Sequence, residues 1–541
     1  MNEITPLERE KVDSNLFNLN DKVRQILKYM AIFLIISGLI GILIRFRTIA
    51  GDPSIYLVYA KDMFTGKPFT FGFAVKSGAT SPIWALFFSL FFLPLQDVDI
   101  VMFCMKALSL ALFLISVLAL WKLSFYIFGD KTVSWISSAI LINQGVINGY
   151  NLGFETTCTT LFVLMTVYYT IKITRTESFE FKDIAFYVIF SGNLHYLRPE
   201  AIIVTIVTGL IILSHYRTNQ LIKEHILHIL LNLIFISFLV SWYYIYFFMA
   251  TNSFPSSTVL TRGFLRFGQG LNVDGIVGVL DAFFTVVANF LTGLIPFVFG
   301  IIFIKNKLKN TQINKELNFL LLVIIPFFIL FFFYNSGKSF HLVRYIFPFF
   351  WINALIIAGG FIFIYKLFKV RVKKIKFVRK NYYKLLTLSL LISTVAYGSF
   401  DNYLSVTRMA SDINNISDIN VILGQEFIEN INTIVDENDR ILMLEIQFQY
   451  YLKCQAFSMD GIVGGEILPY LDGGNLSQFL IDYNIGYMIV GLTDLPHYGN
   501  LYELTLHTIL GENFSSDGIV YTNVMDYDSI IFHRMYLLKI S

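Results

Sequence analysis

The chain has 541 residues, of which 55% are hydrophobic and only 15% charged, with a net charge of +3 and a mean hydropathy of +0.63. Soluble domains carry about 25% charged residues, so this composition excludes an ordinary water-coated globule and calls for lipid as solvent. The small positive balance gives no reason to expect nucleic acid as a partner. The three cysteines, Cys104, Cys158 and Cys454, have neither metal-ligand spacing nor the count of a disulfide framework.

Taken in chain order, residues 1–28 are polar, and the first apolar run, 29–46, has no small-residue cleavage site after it. It is expected to stay in the membrane as a spanning helix and not to be removed as a signal peptide. A bilayer-spanning helix needs about 20 mostly apolar residues. Further candidates are 81–97, 100–127, 133–149, 156–171, 184–197, 199–214, 228–249, 277–304, 317–334, 346–366 and 385–400. The expected fold class is an α-helical polytopic membrane protein of about 11–13 spanning helices.

Lysine and arginine in short loops set the orientation. Nine of them fall between 366 and 384, and smaller groups lie at 22–28 and 305–315. These are expected to be cytoplasmic, with the N-terminus, in a plasma (inner) membrane. Loops 47–80, 250–276 and 335–345 then face outward. So does the tail 401–541, where the composition turns polar and no run could span. The tail reads as an extracytoplasmic α/β domain, with strands expected at 440–446, 487–490 and 529–535. Residues 1–400 form the membrane domain and 401–541 the soluble one. The stretch 81–171 does not close in this scheme: either one of its runs is re-entrant, or a second crossing hides within 100–127.

The first outward loop is unusual for a connector. Asp52 stands at the end of a spanning run, followed by Pro53 and a partly amphipathic stretch with Tyr56, Tyr59 and Met63. A carboxylate held against apolar surface has its pKa raised, which suits a general base; Asp52 could equally N-cap the next helix. Charged groups at membrane depth are costly and persist where they line a wet cavity or bind something. Arg198 and Arg344 suit a phosphate through paired N–H donors, with His341 and Arg262 adding donors; snorkelling to headgroups is the plain alternative for the arginines. Glu155 could pair with an arginine, hold a metal or position a sugar hydroxyl. Tyr59 and Tyr345 adjoin these motifs, where sugar rings stack, although interface belts also use tyrosine.

The loop from Asp52 through Tyr59-Ala60, Gly66, Gly78 and Thr80-Ser81-Pro82 to Trp84 resembles the first external loop of the GT-C superfamily of membrane glycosyltransferases. The resemblance is to its bacterial branch near the mycobacterial arabinofuranosyltransferases and the polyprenyl-phosphate-sugar mannosyltransferases. Gly51 stands where that branch has the first of two acidic residues, and Ser77 where it has a glutamate. Further similar elements follow in order: Gly153-Phe154-Glu155-Thr156, Arg198-Pro199-Glu200, Pro255 to Thr258 with Arg262, and His341 with Arg344, Tyr345 and Pro348. The resemblance implies transfer of a sugar from a polyprenyl-phosphate donor to a hydroxyl of a glycan, lipid or protein acceptor. Asp52 would be the catalytic base, with Tyr59, Glu155, Arg198, Arg262, His341, Arg344 and Tyr345 binding substrate. Some members of the superfamily take a divalent cation; Asp52 and Glu155 are a thin ligand set, and no cofactor is assigned. A transporter or flippase of lipid-linked glycans and a catalytically degenerate scaffold are the competing classes, and no internal repeat of the transporter kind is evident.

Overall fold

The computed structural model describes residues 21–45, 53–251, 347–360, 427–443, 452–458, 470, 476–491 and 514–541. Short breaks fall at 69, 73–74, 77–78, 80, 96–97, 148–154, 176–179, 219–221, 350, 353, 517–518 and 530–532. The chain divides into two compact units. The first comprises 1–46, 108–239 and 271–409; the second comprises 47–107, 240–270 and 410–541. The boundary expected near residue 400 lies outside the described residues.

The helices follow the apolar runs closely. They are α1 (Asp21–Arg45), α2 (Pro53–Phe64), α3 (Pro82–Leu95), α4 (Val98–Phe128), α5 (Lys131–Ile147), α6 (Thr156–Arg175), α7 (Phe181–Leu197), α8 (Ile202–Thr218) and α9 (Ile222–Thr251). Helix α4 is unbroken over 31 residues, so no second crossing hides within 100–127. Its stretch Ile100–Phe128, mean hydropathy 2.4, is the one described helix long and apolar enough to span by length and composition. Helix α3 has 14 residues, about 21 Å at 1.5 Å per residue, against a hydrocarbon core of about 30 Å. It is the short run in the stretch that failed to close. The candidates 277–304, 317–334 and 385–400 lie outside the described residues.

In the first unit the helix ends are set by local chemistry. Gly129, at φ +66°, ends α4, its N–H donating to the Phe125 carbonyl at 2.8 Å; only glycine takes this left-handed conformation cheaply. Asp130 then caps α5, accepting from the Thr132 N–H at 2.6 Å, and it also receives Arg24 of α1 at 3.5 Å. Helices α1 and α5 pack together through Ala31, Leu34 and Ala139. Helices α6 and α7 form an antiparallel pair closed by Lys172 and Asp183 at 2.7 Å. Tyr187 of α7 meets Thr208 of α8 at 3.1 Å, within a cluster holding Ile184, Val188 and Ile212.

In the second unit, α2 packs on α3, where Trp84 and Phe88 meet edge to face at 4.7 Å. Proline at the first position of both helices suits the helix start, where its missing N–H would be unsatisfied anyway. Helix α2 ends in a Schellman motif: Gly66 at φ +83°, the Gly66 N–H to Met63 O at 3.2 Å, and the Lys67 N–H to Asp62 O at 2.8 Å. A small hairpin follows, β1 (Thr70–Phe71) with β2 (Val75–Lys76).

The tail contributes a six-stranded mixed sheet. Its strands are β3 (Arg440–Met443), β4 (Gln455–Ser458), β5 (Tyr487–Gly491), β6 (Phe514–Ser516), β7 (Ile519–Ser529) and β8 (His533–Ile540), in the spatial order β4-β3-β5-β8-β7-β6. Strands β4, β3 and β5 run parallel, and the rest pair antiparallel. Helix α10 (Leu476–Asp482) lies between β4 and β5 in the chain, and a helical stretch at 427–434 places Phe427, Ile428 and Ile431 against Ile441, Met443 and Leu537. The expected strand at 487–490 matches β5, and that at 440–446 begins with β3, its residues 444–446 lying outside the described residues. The run 529–535 is not one strand: Ser529 closes β7 and pairs with His533, which opens β8. The apolar Ile530, Ile531 and Phe532 carry no glycine, proline, asparagine or aspartate to mark a turn.

Helices α7 and α9 approach closely at Gly192, where an added Cβ would lie 2.6 Å from Leu239 Cδ1. The leucine methyl can swing aside for one carbon but not for a branched side chain. Gly192→Ala is expected to be nearly neutral, whereas Gly192→Leu should cost about 1–3 kcal/mol by overpacking. Thermal unfolding of the two variants in detergent checks the difference.

Candidate functional site

The sequence elements around Glu155 and Arg198 come together in the first unit. Glu155 immediately precedes α6, and its carbonyl accepts the Thr159 N–H at 2.8 Å and the Thr159 hydroxyl at 2.9 Å. A carboxylate at that position faces the positive end of the helix dipole. Arg198 ends α7. The proline after it disfavours helical backbone, and Arg198 is extended at φ −152°, ψ 118°. Pro199–Ala201 then turns as a short 3-10 helix into α8. The break leaves the Arg198 side chain at the negative end of α7, where a cation is favoured.

Arg198 Nη1 lies 3.7 Å from Glu155 Oε1, and both side chains are at most 5% exposed. The wall around Glu155 is made of small polar groups. Thr157 meets Ser109 of α4 at 2.9 Å, Thr160 bonds back to the Thr156 carbonyl at 2.7 Å, and Cys158 is buried one turn from Glu155. On the last turn of α7, His195 Nε2 lies 3.3 Å from the Leu239 carbonyl of α9, and the Tyr196 hydroxyl donates to the same oxygen at 2.6 Å. Such a pair at a broken helix inside an apolar bundle is where anion or sugar recognition can be built.

The other expected site residues distribute differently. Tyr59 belongs to the second unit and is buried in α2 at 3% exposure. Asp52 is the residue before Pro53, the first of α2; Asp52, Arg262, His341, Arg344 and Tyr345 lie outside the described residues. Sequence reasoning passed over three features. Asp62 is fully buried and accepts from the Thr70 hydroxyl at 3.0 Å. Lys61 donates to the Leu452 carbonyl at 3.2 Å, and burial pulls its pKa below the ordinary lysine value. Lys106 is a buried cation in α4, and its signal, one lysine in a long apolar run, was present in the sequence. Among the described residues no three His, Cys, Asp or Glu side chains gather as a metal set.

No family model matches the chain, and no curated protein matches it in sequence. Solved structures do resemble it. ArnT from Cupriavidus metallidurans, crystallised in the apo state, superimposes with a TM-score of 0.55 at 12% identity, covering 94% of this chain and 97% of ArnT. The Archaeoglobus fulgidus oligosaccharyltransferase, tethered to an acceptor peptide containing the NVT sequon, gives 0.50 at 10% identity, covering 86% of this chain and 69% of the enzyme. At these identities the likeness is one of fold: the chain has a GT-C-like fold.

The buried pair makes a sharp energetic expectation. Removing one member leaves an uncompensated charge, so Glu155→Leu or Arg198→Met alone should each lose roughly 3–5 kcal/mol. The double variant should lose far less than the sum, because both charges leave together. A double-mutant cycle of unfolding free energies in detergent reads this directly, and additive losses would show that the two groups do not interact.

Proposed function

We propose that this protein is a membrane glycosyltransferase that moves a sugar from a polyprenyl-phosphate donor to an acceptor hydroxyl on the extracytoplasmic face. The observation that carries the reading is the GT-C-like fold over nearly the whole chain, with two of the family-like sequence elements meeting as the buried Glu155–Arg198 pair. The peptide-tethered oligosaccharyltransferase makes an acceptor-modifying enzyme the natural class.

In the proposed reaction Asp52 takes the proton of the acceptor hydroxyl as that oxygen attacks the anomeric carbon. The carbon–oxygen bond to the lipid phosphate breaks, the electron pair leaves with the phosphate, and one displacement inverts the anomeric centre. Arg344 and His341 hold the departing phosphate, and positive groups there stabilise charge as it develops. Arg198 enters as a counterion already balanced by Glu155, so the pair adds hydrogen-bond donors and an acceptor without adding net charge. Glu155 then suits a sugar hydroxyl better than a metal. Gly51, in place of the first carboxylate, leaves Asp52 as the acidic group of that loop start.

The test is purified protein in lipid with a panel of polyprenyl-phosphate sugars and a glycan acceptor, scored by release of free polyprenyl phosphate. Release with one sugar is expected. Asp52→Asn should slow it by about 10²–10⁴, the usual worth of a general base. Unchanged release in that variant would remove Asp52 from the chemistry, and no release with any donor would overturn the reaction class.

A further inference from the structure

The first outward loop and the tail sheet, some 390 positions apart in the chain, are fastened to each other within the second unit. Among the described residues two hydrogen bonds make the fastening, one on strand β4 and one just ahead of it. Among the described residues strand β4 is an edge of the sheet, bonded on one side to β3. An edge strand presents unpaired N–H and C=O groups that must find water or a cover. Here the Ala456 N–H donates to the carbonyl of Gly72 at 3.0 Å. Gly72, at φ +64°, is in the turn between β1 and β2. Just ahead of β4, the Leu452 carbonyl takes the ammonium of Lys61, from the last turn of α2, at 3.2 Å.

Lys61 is half-buried on a largely apolar helix face. Its neighbours on α2, Leu57, Val58 and Ala60, are buried and apolar, and burying an ammonium costs free energy unless an acceptor compensates it. A leucine or methionine would pack there at no electrostatic cost. What the lysine adds is a bond that no apolar residue can make, aimed at a segment far away in the chain. Helix α2 is 12 residues long and begins at Pro53, so whatever fixes its far end fixes the direction in which the chain enters it. Nearer its start, the Tyr56 hydroxyl lies 3.3 Å from the Ser81 hydroxyl, and the chain ahead of α3 is held in turn by the Ala79 N–H donating to the Tyr246 hydroxyl of α9 at 2.9 Å.

We infer that Lys61 is a positioning residue: by tying α2 to the Leu452 carbonyl it lets the tail sheet hold the helix that Asp52 introduces. This rests on the transferase reading for its catalytic consequence, but the contact itself does not. A misplacement of about 1 Å at a reacting group can cost on the order of 10²-fold in rate, so loosening α2 should act on turnover more than on donor binding.

The experiment uses the full chain in lipid and compares wild type, Lys61→Met and Lys61→Arg. Methionine keeps the length of the stem and removes the donor, while arginine keeps a cation and its donors. Amide hydrogen exchange over 452–458, read by mass spectrometry, reports the contact without any catalysis. Lys61→Met should exchange faster there, lower kcat roughly 10- to 100-fold and leave donor KM within about two-fold; Lys61→Arg should recover most of both losses. Unchanged exchange in Lys61→Met would overturn the tie. Faster exchange with unchanged kcat would make it a purely structural contact and overturn the positioning role. If the wild type releases no polyprenyl phosphate with any donor, the transferase reading falls and the positioning role with it, while the exchange result still decides whether the tie exists.

Discussion

A polar group among these apolar helices cannot be answered by water, so its partner has to come from the protein itself. Much of the first unit follows from that constraint. Helix α6 carries six buried threonines, and Thr159, Thr160, Thr166 and Thr170 each return the hydroxyl to the carbonyl four residues back. Satisfied in this way, a threonine presents a methyl and a stiff branched stem to its neighbours and packs like valine. Charges obey the same rule at greater expense. Arg24 finds Asp130, Lys172 finds Asp183, and Arg198 finds Glu155. The first two pairs sit at helix ends, where Asp130 also caps α5 and Asp183 stands in the first turn of α7. Of these three pairs, only Glu155 and Arg198 are both almost wholly buried. Apolar replacements would satisfy the packing as well or better, which is why this pair stands out as a candidate for chemistry.

The helical part of the fold was legible because the solvent writes it. Eight described helices fall on runs picked by apolar length alone. Their ends were less legible, since they depend on single residues such as Gly129, Asp130 and Pro199. The sheet was only partly legible. Strands β3 and β5, inside the sheet, are apolar and stand out, whereas between the paired Ser529 and His533 the sequence Ile530-Ile531-Phe532 holds no turn residue. Periodicity therefore ran straight through the reversal at 529–533.

The candidate site divides along similar lines. Glu155 and Arg198 were visible as charges where charges are costly, and a pairing of Glu155 with an arginine was among the alternatives; which arginine it meets is a matter of how α6 and α7 fold back on each other. Lys61 and Asp62 gave no such signal. On a polar loop an adjacent lysine and aspartate look like solvated surface, and nothing local says that one is buried and the other reaches Leu452. That information is in the packing of segments 391 residues apart.

The tail also changes meaning once its edge is considered. A sheet that ends in β4 has an open side, and an open side invites pairing with whatever strand comes near. Natural edges are commonly guarded by charge, by proline or by a covering segment. Here the β1–β2 turn provides the cover, through the bond between the Gly72 carbonyl and the Ala456 N–H. The cover is not a spare loop: it directly continues α2 and leads into α3, the short helix whose first turns hold Trp84 and Phe88. One hydrogen-bonding requirement of the tail sheet is thus met by the segment between α2 and α3. A displacement of that loop breaks the bond that covers Ala456 on β4. The two segments are therefore coupled by the same backbone bond that covers the sheet edge, with the Lys61 side chain beside it.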